Sequence, residues 1–419
     1  MSSAVERSVS RPCVAERHTL LVAALALVLF WGSWAALHRS FYLRDQVVDT
    51  PIYQGYGDLM AHGYMPYRDF AVEYPPGALP LFVIPALGHP ERSMFTTYRQ
   101  TFETLMWICG ALMLVAMAFA LRAVGASRRR TIGALLFAAL APLALGSVVL
   151  SRFDLWPAAL TAAALAAVVS GRLRLGHGLL GLAIVAKVYP AVLVPLTVAH
   201  VWRRRGPRDA LICLAVLTGV IAAVMVPFLA VAPGGVWASV VGQTTRPLQI
   251  ESLGAAVLVA LHHVAGLSAT MRSNHGSQNL AGTGPDLVGT LQTVLQLTVL
   301  LAIWALYARS RGGREELLRA SAAAVVAFVA LGKVLSPQYL IWLVPLVPLV
   351  RGRRGAVGSG LLLVAMVLTQ LWFPFRYWDY ALRFEPAASW LVLTRDLVLL
   401  ALLATLAWPS PRPARDAGA

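Results

Sequence analysis

Lysine is almost absent from this chain: Lys187 and Lys333 are the only two, and every other strong base is arginine. Charge of either sign is scarce, 13% of 419 residues, where soluble domains carry roughly 25%. That excludes an ordinary water-soluble globular protein. Three cysteines occur, Cys13 in a basic N-terminal stretch and Cys109 and Cys213 inside apolar runs. Neither a disulfide framework nor a cysteine metal site is expected from them. A glycine-rich phosphate loop, a separate soluble segment and an internal repeat are all missing, so nothing suggests an inner nucleotide-binding domain.

Apolar length is what the chain has in abundance. Hydrophobic residues make up 58%, and several runs reach the ~20 residues that cross a bilayer as a helix. The net charge of +16 comes from short clusters between those runs. They are Arg7, Arg11 and Arg17; Arg128 to Arg130; Arg172 and Arg174; Arg203 to Arg205; Arg309, Arg311 and Arg314; Arg351, Arg353 and Arg354; and Arg412 with Arg415. Such clusters mark cytoplasmic loops, so no nucleic-acid partner is expected. The first apolar run, 19–37, is longer than most signal-peptide cores and is expected to stay as a span.

Placing every basic cluster inside fixes the parity of the chain. Spans are expected at 19–37, 102–122, 131–150, 155–170, 209–231, 287–308, 316–333, 338–350, 355–373 and 388–408. Residues 177–202 must go out and return between two inner clusters, turning at Lys187-Val188-Tyr189-Pro190, as half-length helices around a recessed cavity do. Residues 251–266 are apolar enough to span, but a crossing there would place the later arginines outside; a helix on the outer surface is expected instead. The expected fold is therefore an all-α integral membrane protein, a bundle of about 12 transmembrane helices in one membrane domain, 19–408. Cytoplasmic tails 1–18 and 409–419 flank it. Two long outer segments, 38–101 and 232–286, remain, and long loops in compact proteins carry function.

The first outer segment holds a helix signal. Thr50 suits an N-cap and Pro51 the first helical position. Ile52, Tyr56, Leu59 and Met60 recur at helical spacing, and Gly63 is a natural stop. The pattern predicts a short amphipathic helix on the membrane surface, with Asp49 at its positive end, where the dipole favours a carboxylate. An ionised carboxylate there suits a general base taking a proton from a sugar hydroxyl; the competing reading is that Asp49 only caps the helix. Tyr67, Arg68, Glu73 and Tyr74 follow, with Pro75-Pro76-Gly77 enforcing a rigid turn. These residue types suit stacking on sugar rings and bonding their hydroxyls, against the plainer reading of an interfacial aromatic belt.

Both lysines fall at predicted outer helix ends, each followed within four residues by a proline. An ammonium is a compact phosphate contact unlike the arginine fork, so the two are expected to face one cavity and neutralise a phosphate; simple snorkelling is the alternative. Arg152, Arg246, Arg376 and His262 are expected on the same side as further phosphate contacts, although Arg152 could instead pair with Asp154. Ionisable groups near membrane spans are functional candidates because they are costly elsewhere. A base on one side and cations on the other fit transfer from a polyprenyl-phosphate sugar, whose leaving phosphate needs cationic stabilisation.

At these residues the sequence resembles glycosyltransferase family 87, the polyprenyl-phosphomannose-dependent mannosyltransferase-like group of the GT-C superfamily. The resembling segments are Asp49-x-x-x-Tyr53, Gly63-x-x-Pro66-Tyr67, Glu73-Tyr74-Pro75-Pro76-Gly77, Arg152-x-Asp154, Lys187-x-Tyr189-Pro190, Gln249-x-Glu251-Ser252 and Ser336-Pro337-Gln338-Tyr339. The resemblance implies a GT-C fold, an inverting mechanism and an aspartate of the first outer loop as base, by position Asp49. Many GT-C enzymes have two acidic residues one apart in this loop, whereas Asp45 and Asp49 are four apart, so Asp45 stays a second candidate. Asp45, Tyr53, Tyr67, Arg68, Glu73, Tyr74, Glu251, Gln338 and Tyr339 are the expected sugar and acceptor contacts. The expected partners are a polyprenyl-phosphate sugar, a glycolipid or glycan acceptor and membrane lipid, at the outer face of the plasma membrane. No cofactor is expected, and no residue pattern indicates a divalent metal. The main rival is a transporter or flippase, whose repeats and midplane charges are missing; an oligosaccharide ligase would share the cations and differ in its acceptor.

Overall fold

The structure, a computed structural model, describes residues 3–39, 47–88 and 93–407, with side chains from residue 19 onward. Asp45, Arg412, Arg415 and the side chains of Cys13, Arg7, Arg11 and Arg17 lie outside the described residues. In chain order the first half runs α1 (Ser3–Leu37), α2 (Thr50–Ala61), α3 (Leu79–Val83), α4 (Phe95–Ala123), α5 (Arg128–Leu145), α6 (Val148–Ser151), α7 (Leu155–Val169), α8 (Leu173–Ala186) and α9 (Val194–Arg205). Then come α10 (Pro207–Val231), α11 (Pro233–Thr244), α12 (Leu253–Ala265) and a hairpin of β1 (Met271–Asn274) with β2 (Ser277–Leu280). The chain closes with α13 (Thr283–Arg309), α14 (Arg314–Ala330), α15 (Tyr339–Leu343), α16 (Gly352–Gln370), α17 (Tyr377–Arg383) and α18 (Pro386–Ala407).

The protein is a helical membrane protein whose helices differ widely in length. Among the described residues, five helices are long and apolar enough to cross a membrane: residues Thr19–Leu37 of α1, and α4, α10, α13 and α18. The shorter ones have a physical explanation in burial. In α7 every residue except Trp156 and Ala163 is buried, because it lies between α4 and α8. Its alanines let those neighbours close in, and a helix sheathed by protein need not match the bilayer thickness. At the periphery the reverse holds: Leu211 on α10 and Leu301 on α13 are 61% and 60% exposed, as lipid-facing residues are.

Three local expectations meet the structure directly. The out-and-back stretch breaks at Lys187, whose extended backbone ends α8, and a 3-10 turn over Tyr189–Leu193 leads into α9. Residues 253–265 form the 13-residue helix α12, too short to span. The one addition to the helices among the described residues is the β1–β2 hairpin, which turns through His275 and Gly276, both at positive φ. That is the geometry of a tight two-residue hairpin turn, with histidine where Asn or Asp is the usual signal. The start of α1 at Ser3 also means that the expected boundary at residue 18 is not a break in the backbone.

The predicted inner clusters gather at one end of the bundle. Arg130 makes a two-pronged pair with Glu315 at the start of α14, at 2.5 and 2.7 Å, and also donates to the Leu349 carbonyl. Arg314 donates to the Ala123 carbonyl at 3.0 Å, and Arg203 reaches the Tyr307 and Ser310 carbonyls at 2.9 and 3.0 Å. Arg172 and Arg174 lie at the α7–α8 turn, whereas Arg152 and Asp154 precede α7 and Lys187 follows α8, at the other ends of those two helices.

Candidate active site

Asp49 sits at the N-terminus of α2, and its backbone carbonyl accepts from Ile52 and Tyr53. Its carboxylate does not cap the helix. One oxygen instead pairs with the Arg152 guanidinium, and the other accepts from the Tyr53 hydroxyl at 3.3 Å. The plain capping reading is thereby excluded. The helix turns two residues of its predicted apolar stripe outward. Tyr53, Gln54 and Asp58 are buried against protein, while Ile52 and Leu59 are exposed, as side chains turned to lipid would be.

Arg152 and Asp154 do not pair with each other. Arg152, with its side chain 5% exposed, turns to Asp49 and to the Val47 carbonyl. Asp154 is fully buried; one oxygen accepts from Lys187 Nζ and from Trp342 Nε1, both at 2.6 Å. Lys187 hangs over the rings of Phe153, Trp342 and Tyr339 at 4.6, 5.2 and 5.6 Å. Trp342 is sandwiched, with Tyr189 stacked on one side at 4.1 Å and Tyr339 at 4.0 Å. The Lys187 charge is thus matched by Asp154 in the structure.

The turn Pro75-Pro76-Gly77 explains how the first outer segment reaches this place. A Cβ on Gly77 would lie 2.6 Å from the Val185 backbone, so only glycine lets the turn seat on the end of α8. Trp156 Nε1 fastens it by donating to the Gly77 carbonyl at 3.1 Å. Tyr74, next to the turn, packs edge-on to Phe153 at 5.0 Å and to Tyr53 at 5.7 Å.

The second outer segment closes the other side. Arg246 lies within electrostatic reach of Tyr339 and Glu251. Its Nε is buried without a hydrogen-bond partner among the described residues. Lys333 Nζ donates to the Thr244 carbonyl at 3.1 Å, two residues from Arg246, and is only partly buried. Glu251, 2% exposed in the loop between α11 and α12, accepts from Gln249 at 2.6 Å, and Gln249 also donates to Ser336 at 3.0 Å. Burial pushes the Glu251 carboxyl up to about 8, against the opposing pull of Arg395 and Arg152. It is therefore mostly neutral at pH 7.

Not every expected contact joins the cluster. His262 Nδ1 donates to the Leu267 carbonyl, 2.7 Å away, closing the end of α12. Arg68 is exposed and pairs with its neighbour Asp69 at 2.9 Å. Arg376 is exposed at the start of α17, one residue before Tyr377, which is buried and lies in the field of Glu251, Arg152 and Asp49. Tyr67 is buried and donates to the Tyr74 carbonyl at 2.5 Å, whereas Glu73 is exposed and packs at the Gly276 turn. Gln338 precedes the first turn of α15.

Sequence reasoning missed Trp342, Tyr377 and the buried pair Arg395–Asp396 at 2.7 Å on α18. Arg395 donates to the Glu251 carbonyl at 2.7 Å and lies over Trp372. Its signal was present, since two adjacent charges interrupt an apolar run. Trp342 and Tyr377 carried no such mark.

A comparison with curated proteins found no match. Among protein families, the profile of glycosyltransferase family 87 matches residues 72–337, well over half of the chain. The match takes in Arg152, Asp154, Lys187, Arg246, Glu251 and Lys333; Asp49 precedes it and Trp342 follows it. Together with the apolar helices, it establishes that the chain belongs to glycosyltransferase family 87 and is a membrane glycosyltransferase.

Proposed function

We propose that the protein transfers a sugar, mannose in this reading, from a polyprenyl-phosphate donor to a hydroxyl of a glycolipid or cell-envelope glycan. The reaction takes place at the outer face of the plasma membrane and inverts the anomeric carbon. The observation that carries the proposal is the Asp49 carboxylate. It leaves its own helix uncapped, is 22% exposed, and sits beside Arg152 in a cluster of cations and stacked aromatic rings. Asp49 takes the proton of the acceptor hydroxyl as that oxygen bonds to the anomeric carbon. The anomeric C–O bond to phosphate breaks, and its electron pair goes to the phosphate oxygen. One negative charge therefore leaves Asp49 and one develops on the polyprenyl phosphate.

Cations are needed where that charge develops. Arg246 and Lys333, brought together through residues 244–246, are the proposed phosphate contacts. Lys187 is assigned to holding Asp154 and Trp342, and Tyr339 to packing against the sugar ring. Purified protein incubated with a panel of polyprenyl-phosphate sugars, with products identified by mass, tests the reading. Transfer from a lipid-phosphate donor that is lost in Asp49→Asn is expected. Transfer from none of them would overturn it.

A further inference from the structure

The basic end of the bundle holds a second cavity at the first turn of α5, whose 18 residues run about 27 Å from it toward α6 and Arg152. Its volume is about 620 Å³, within the roughly 300–1,000 Å³ of small-molecule sites. It opens between the first turns of α5 and α16 and the start of α14. Three arginines line it, Arg129, Arg130 and Arg351, against one acid, Glu315.

The arginines are not equivalent. Arg130 is held rigidly by Glu315 and the Leu349 carbonyl, and it clamps α5, α14 and the turn before α16 into a fixed wall. Arg129 and Arg351 are exposed, and among the described residues neither makes an ion pair. The cavity thus keeps two uncompensated guanidinium groups over a preformed frame. Two helix N-termini open on the same space, and Arg351 gives α16 no side-chain cap, so backbone N–H groups of its first turn are available. Deeper in, Phe137, Pro348 and Val350 supply an apolar wall.

Planar guanidinium groups, free helix N–H donors and an adjoining apolar wall together fit one chemistry: a phosphate ester joined to something greasy. Basic pockets between membrane helices on the positively charged face take anionic lipid headgroups in this way. We propose that this cavity is a binding site for a phosphate-ester anion, held by Arg129 and Arg351, at the end of the bundle opposite the transfer site. Nothing in this inference depends on the donor or acceptor of the transfer reaction.

The test compares two double variants of the full-length protein, Arg129→Ala/Arg351→Ala in the cavity and Arg204→Ala/Arg205→Ala on another exposed basic turn. Each is placed in nanodiscs of phosphatidylcholine with a minority of phosphatidylglycerol, and the co-purified lipid is counted by native mass spectrometry. A second arm titrates inorganic phosphate against the detergent-solubilised proteins and follows thermal protection. Retention of phosphatidylglycerol falling at least tenfold in the cavity variant alone supports the site with a lipid headgroup as its ligand. Protection by inorganic phosphate, lost in the cavity variant and without lipid retention, supports it with a soluble anion. Equal retention and protection in wild type and both variants, or an equal loss in the two variants, would overturn it. Arg129→Lys/Arg351→Lys, which keeps the charge, separates misfolding from lost binding: a folded site recovers most of the retention.

Discussion

Replacing Lys187 by methionine separates two roles that a buried lysine can have. In the structure its ammonium pairs with Asp154 at 2.6 Å, and Asp154 has no exposure to water. Removing the cation strands a carboxylate whose remaining donor is Trp342 Nε1. Stranding one partner of a buried pair costs about 3–5 kcal/mol. Since 1 kcal/mol moves the Tm of a chain of 150–250 residues by about 2–4 °C, and less for a longer one, the expected fall is on the order of 5 °C. The double variant Lys187→Met/Asp154→Asn removes both charges and keeps an acceptor for Trp342, so it should regain most of that loss. A double-mutant cycle completed with Asp154→Asn isolates the coupling. The assay is thermal unfolding in nanodiscs, run beside donor binding. A Lys187→Met protein that melts within 1 °C of wild type but no longer binds donor would refute the pairing argument and return Lys187 to the phosphate.

Other outcomes are equally specific. Asp49→Asn should lower turnover by at least a hundredfold with donor affinity within about threefold, since general-base loss typically costs 10²–10⁴-fold; near-normal turnover would remove the base assignment. Arg246→Ala and Lys333→Ala should each weaken donor binding, measured as KM for the lipid donor, and unchanged KM in both would move the phosphate elsewhere. Glu251 has a raised folded pKa, about 8 against 4.5. Its neutral form stabilises the fold at low pH, and that contribution is lost as pH rises from about 4.5 to 8, on the order of 5 kcal/mol at about 1.4 kcal/mol per unit. Glu251→Gln should therefore melt nearly independently of pH over that window while wild type declines, and parallel curves would contradict the burial argument.

The features legible in the sequence are those written along one dimension. Apolar length marks the spans, arginine clusters mark one end of the bundle, and Pro190 beside Lys187 marks the break between α8 and α9. Asp49 is also found this way, because a helix start has a local grammar. What stays hidden is rotational and long-range. Arg376 was expected at the site, yet α17 turns Tyr377 inward instead, and only packing against the hairpin and α18 decides that angle. Arg152 and Asp154 are two apart, which invites pairing; the backbone between α6 and α7 sends them to different partners. Helix length is hidden for a related reason, since α7 is wrapped by protein and is released from the length a bilayer imposes.

The Asp154 contacts also set an order of assembly. Lys187 lies 33 residues after Asp154 in the chain, but Trp342 lies 188 residues after it. A nascent chain emerging from synthesis can neutralise the acid early, with α8 barely inserted. The aromatic stack cannot close until α15 arrives, after most of the protein has been made. Any chain that stops short of residue 342 therefore carries the Lys187–Asp154 pair without the indole that covers it.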